Sequence, residues 1–115
     1  MMFDLECPLD AVSAIFESST LSTGMTREAP GGVFIELRQF PRESRGGPGL
    51  GFLTVPLVHL VVTTGKEVAV GVFSTWLVAK LTKSRMRHLR INRKTVEYED
   101  GIIKKVVEET IEADL

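Results

Sequence analysis

Apolar positions first recur at helical spacing between Leu9 and Phe16, where Leu9, Val12, Ile15 and Phe16 share one side and Asp10 stands where a capping residue would. From Ser18 to Gly32 the chain is small, polar and turn-rich and ends in Pro30, Gly31 and Gly32, which reads as a loop. Val33 to Phe40 then alternates, with Val33, Ile35 and Leu37 against Phe34, Glu36, Arg38 and Phe40, the period of a half-buried strand. The Gly- and Pro-rich stretch 41–49 breaks any regular element. It is a flexible loop inside one domain, because the residues before it could bury little core alone.

Between Arg45 and Lys80 the only charged residues are Lys66 and Glu67. Three readings compete for this apolar stretch. A membrane span over 46–65 has about the right length but is weakened by its glycines, Pro56 and His59. A β-hairpin suits the β-branched residues on either side of Thr63 to Glu67. A long apolar helix, with a break near Gly65, suits the second half, where Gly71, Thr75 and Ala79 recur as a small stripe beside Phe73, Leu77 and Leu81. Lys80 and Lys83 then stand where a helix C-terminus favours cations.

The last third predicts a β-hairpin and an amphipathic helix. A tight connection at Arg93 and Lys94 would pair Ile91 with Val96 and Leu89 with Tyr98, and would set Arg90 opposite Glu97 and His88 opposite Glu99. Asp100 is placed to cap a helix whose apolar stripe is Ile102, Ile103, Val106, Val107 and Ile111. The order expected is therefore an N-terminal helix, a strand, a long apolar helical segment, a β-hairpin and a C-terminal amphipathic helix. That is one small α+β domain spanning 1–115.

Composition changes this picture in one respect. The 115 residues are 43% hydrophobic and 25% charged, and 14 Lys and Arg nearly cancel 15 Asp and Glu. The near-neutral total conceals a basic block of Lys80, Lys83, Arg85, Arg87, Arg90, Arg93 and Lys94, with no acid between Glu67 and Glu97, followed by an acidic C-terminal segment. Such a block could hold phosphates of nucleic acid or of an anionic membrane. Pairing with the acidic segment is favoured instead, since no aromatic residues interleave the cations to stack bases.

Chemistry-bearing motifs are scarce. Cys7 is the single cysteine, so no internal disulfide forms, and it suits a reducing, cytoplasmic setting. The acidic N-terminal residues do not make a signal peptide. His59 and His88 lack metal-ligand spacing, and each is expected to be packed or partnered. The glycines at 46, 47, 49 and 51 precede no Gly-Lys-Ser/Thr, and no serine lies in a nucleophile elbow. No enzyme, no cofactor and no metal is expected.

The run from Val62 to Leu77, Val-Thr-Thr-Gly-Lys-Glu-Val-Ala-Val-Gly-Val-Phe-Ser-Thr-Trp-Leu, with its basic exit from Lys80 to Arg90, resembles the effector-associated constant component one family. The resemblance extends over about residues 33–112. Members are small, non-enzymatic proteins of bacterial conflict systems that accompany effectors such as peptidases. For this chain the resemblance implies helix over hairpin between residues 66 and 83, and a non-catalytic adaptor or assembly role.

The apolar surface of residues 50–81 exceeds what a three-stranded sheet with one helix would hide, so a further chain is expected to cover part of it. The expected interface is Gly71, Phe73, Thr75, Trp76, Leu77 and Ala79, with Trp76 as anchor. Its partner would be a second copy or an effector protein. The alternative is a peripheral membrane or nucleic-acid binding module using residues 80–94.

Overall fold

The computed structural model describes residues 1–41, 57–82, 88–97 and 99–113. Their elements are β1 (Met2–Pro8), α1 (Leu9–Phe16), β2 (Thr26–Ala29), β3 (Val33–Gln39), β4 (Leu57–Thr64), α2 (Val70–Leu81), β5 (His88–Ile91), β6 (Lys94–Glu97) and α3 (Asp100–Glu112). The fold is α+β. All strand pairs are antiparallel, in one six-stranded sheet of order β2-β3-β4-β1-β5-β6.

Phe3, Leu5 and Cys7 alternate with Met2, Asp4 and Glu6, and that alternation makes β1 a strand with one buried face. It sits inside the sheet, paired with β4 from Met2 opposite Thr63 to Pro8 opposite Leu57, and with β5 through Leu5 opposite Ile91. β4 and β5 both run against β1, so they are parallel to each other and α2 forms the crossover between them. By the same accounting α3 runs antiparallel to α2. The three helices cover one sheet face, with Val12, Ile15, Phe73, Leu77, Ile103 and Val107 fully buried against Leu5, Ile35, Leu60 and Leu89. Full burial of each such side chain is worth about 1.5–3 kcal/mol.

The structure corrects the expected order in three places. Among the described residues the long apolar helical segment is replaced: Leu57–Thr64 is strand β4, and α2 begins only at Val70. β4 has sheet neighbours on both sides, and Val58, Leu60, Val61, Val62 and Thr64 are all buried. A strand in the middle of a sheet needs apolar residues without clean alternation, which is why its run resembles a buried helix. The second correction is at the N-terminal end, where a strand precedes the expected helix and a further short strand, β2, lies in the stretch read as loop.

The hairpin is the third. Its residues pair as His88 with Glu97, Leu89 with Val96, Arg90 with Thr95 and Ile91 with Lys94, two positions from the expected register. The connection is Asn92 and Arg93, both with positive φ (51° and 69°). Two left-handed residues make the turn whose twist suits a hairpin, and Asn tolerates that conformation well. A two-residue shift preserves the faces, so Leu89, Ile91 and Val96 still point into the core. Leu89 thus meets Val96 and not Tyr98; Tyr98 itself and the loop 42–49 lie outside the described residues.

The caps also differ. α1 starts after Pro8, whose ψ of 158° is extended, and Asp10 lies in the first turn instead. For α3 the N-cap position is Glu99 and Asp100 is the first helical residue.

Candidate functional site

Among the described helices α2 alone lacks a charged side: from Val70 to Ala79 it carries no charge, and its polar-apolar asymmetry is slight where α1 and α3 are clearly amphipathic. Its inner side is set by Phe73, Ser74, Leu77 and Leu81, all buried. Its outward side is Gly71, Val72, Thr75 and Ala79, all exposed, with Val72 at 54%. The expected interface residues therefore separate: Gly71, Thr75 and Ala79 form an open outward strip, while Phe73 and Leu77 belong to the core.

Trp76 is half-buried at the border of these two sides. Phe73 stacks near it with ring centroids 6.1 Å apart. The Arg27 guanidinium from β2 lies over its ring at 5.2 Å, and the Lys80 ammonium lies at 5.9 Å. Glu17, at the end of α1 with a left-handed φ of 52°, bonds Lys80 and lies 3.4 Å from Arg27, whose Nη1 also donates to Ile15 O at 2.7 Å. The Lys80 ammonium first and the Arg27 guanidinium second hold the Glu17 carboxyl below its usual range. The indole thus ties α1, β2 and α2 together within the chain.

A tight glycine turn fixes how α2 meets the sheet. Gly31 has φ of +93°, and a Cβ there would come within 2.8 Å of Ala69 O and 3.3 Å of Phe73. Ala69 N donates to Gly31 O at 2.9 Å, so the β2-β3 turn and the start of α2 are in direct backbone contact.

Among the described residues the opposite face of the sheet carries no helix and bears a belt of paired charges. His59 Nε2 lies 2.7 Å from Asp4 Oδ1, Arg90 Nη1 is 3.4 Å from Glu6 Oε2, and Arg38 Nη2 donates to Glu36 Oε2 at 3.2 Å. Two concavities of about 310 Å³ flank His59, one against Phe40, Pro41 and Leu57 and one against Met2, Arg38 and Val61. His59 is partnered, as expected; its partner on β1 was hidden, because nothing in sequence links positions 4 and 59 before the strand pairing is known. Among the described residues no group of three or more His, Cys, Asp or Glu is placed to hold a metal.

The basic block is divided. Lys80 points to the helical side and pairs with Glu17, whereas Arg90 and Arg93 face Glu6 and Asp4 on the open sheet face. The proposed Arg90 to Glu97 pairing is replaced by Glu6, one strand away. Lys94 is exposed on β6, and Lys83, Arg85 and Arg87 lie outside the described residues.

Cys7 is fully buried. Burial first, and the Asp10 carboxylate second, push its thiol far above the ordinary range, which leaves no thiolate at neutral pH. Ser74 Oγ is spent within the helical layer, 3.2 Å from Gly71 O and 2.9 Å from Glu108 Oε1. Among the described residues no helix is long and apolar enough to cross a membrane. Compared with family models, with curated proteins and with solved structures, the chain matches none.

Proposed function

We propose that this protein is a non-catalytic adaptor or assembly subunit of a bacterial conflict or defence system, acting through protein contact on the outward side of α2. The observation that carries this reading is a helix without charge from Val70 to Ala79 that nonetheless lies at the surface with Val72 half exposed. A surface helix of a self-sufficient domain turns polar residues outward, and one that is apolar all round belongs in an interior. Within the described part of the apolar stretch, residues 57–81, β4 is hidden inside a six-stranded sheet, which leaves the α2 strip open to a partner.

The class of system comes from the resemblance of residues 62–77, and the non-catalytic role is supported by what the nucleophilic side chains do. The Cys7 thiol is sealed in the core, and Ser74 is held between Gly71 and Glu108. The test is calorimetric titration of the purified chain with the effector protein encoded beside its gene. Binding that is lost in Val72→Arg supports the reading; no binding, or affinity equal in both forms, defeats it.

A further inference from the structure

After Asp100 in its first turn, α3 carries Lys104 and Lys105 and then Glu108, Glu109 and Glu112. Its position against α2 is fixed by Ser74 Oγ, 2.9 Å from Glu108 Oε1, in two helices that run in opposite directions. At a rise of about 1.5 Å per residue, Thr75 on α2 is then level with Val107 on α3. Lys105 and Glu109 lie at equal heights on either side of that level, both exposed and 4.0 Å apart as an i, i+4 pair within the chain.

We infer that the outward side of α2 seats a second copy of this chain, packed antiparallel about a two-fold axis that crosses α2 at Thr75 and α3 at Val107. The inference rests on the docking role of α2 proposed above and names its occupant. The argument for a second copy is charge complementarity. The axis carries Lys105 onto the partner's Glu109 and Glu109 onto the partner's Lys105, so this exposed pair is extended into a four-charge alternation across the axis. A uniformly acidic or uniformly basic partner would leave one member of the pair against like charge.

The uncharged strip fits the same axis. Gly71 and Ala79 are equidistant from Thr75, so small residues face small residues where the two α2 backbones cross. A Cβ added at Gly71 meets nothing within 4 Å in the single chain, so that space is open to a neighbour. Val72, 54% exposed, stands beside Gly71 on the outward side and is covered when the two helices pack. Antiparallel helices also set each macrodipole end beside its opposite.

Sedimentation equilibrium of the full chain from micromolar to millimolar concentration tests this. The expected result is a monomer-dimer equilibrium that Val72→Arg and Gly71→Leu shift to monomer, with circular dichroism and melting temperature retained. Lys105→Glu and Glu109→Lys should each raise the dimer Kd several-fold, and the double swap Lys105→Glu/Glu109→Lys should restore it, since it re-creates opposite charges across the axis. A monomer at every concentration, a dimer unmoved by Val72→Arg, or a double swap no better than the single changes overturns the inference. Effector titration is read separately on the same proteins: a dimer that behaves as expected but binds no effector defeats the adaptor reading alone.

Discussion

Arg27 on β2 stands over the indole of Trp76 on α2, its guanidinium carbon 5.2 Å from the ring centroid, while one nitrogen donates to Ile15 O at the end of α1. One side chain from an edge strand thus joins two helices to the sheet. Replacing it with Ala removes the ring contact, the carbonyl bond and one partner of Glu17, and should cost roughly 1–3 kcal/mol of stability. Arg27→Lys should recover only part of this, because an ammonium cannot cover the ring and reach the carbonyl as a planar fork does. Urea denaturation of the three proteins gives the comparison.

Glu17 adds a pH dependence to the same cluster. Its carboxyl is held below the unfolded value by Lys80 and Arg27, so the unfolded chain binds its proton more readily than the folded one. Its contribution is fully present above the ordinary glutamate range and is lost as pH falls through its lowered folded value. Melting temperature followed from neutral to acidic pH should therefore fall less steeply in Glu17→Gln than in the parent. Equal slopes would show that the cluster does not titrate with folding.

Two glycines should respond in opposite ways to the same change. Gly31→Ala forces a Cβ against Ala69 O in a left-handed backbone and should destabilise by roughly 1–3 kcal/mol. Gly71→Ala meets open space within a helix and should stabilise the monomer by about 0.5–1 kcal/mol. Chemical denaturation of the pair separates close approach from intrinsic propensity.

Cys7 should be silent to thiol reagents in the folded protein. Its sulfur is buried and un-ionised, so labelling by a disulfide-exchange reagent requires the sheet to open. Labelling rates measured across urea concentrations should track global unfolding. Rapid labelling without denaturant would place the thiol at an accessible site.

Much of the outline was legible from local pattern. Leu9 to Phe16 marked α1 to the residue, Val33 to Phe40 marked β3 to within one, and Ile102 to Ile111 carried the stripe of α3. The stretch 57–81 was ambiguous for a physical reason. β4 is apolar because it lies between two strands and so lacks the alternation that marks a strand, while α2, although its small and large residues recur at i, i+4, has no charged side to set it apart from β4. β2 failed to register because an edge strand of Thr26, Arg27, Glu28 and Ala29 buries only Ala29.

The site was legible in part. The spacing of Gly71, Thr75 and Ala79 located one side of α2, but whether that side faced the core or solvent depended on the sheet beneath it. Trp76 looked like an anchor for another chain, and its cover came from Arg27, Lys80 and Glu17. Only Lys80 is near it in sequence. The basic block divided because a crossover helix delivers Lys80 to one layer and β5 carries Arg90 to the other.

The position of β1 sets the order in which this chain can become a protein. Leu5 finds Leu60 on one side and Ile91 on the other, and Glu6 meets Arg90 across 84 positions. The strand is synthesised before either of its sheet neighbours exists. Contacts of such long sequence separation slow folding, since the intervening chain must be ordered before they form. During synthesis, Phe3, Leu5 and Cys7 are thus an unsheltered apolar edge until most of the chain has emerged.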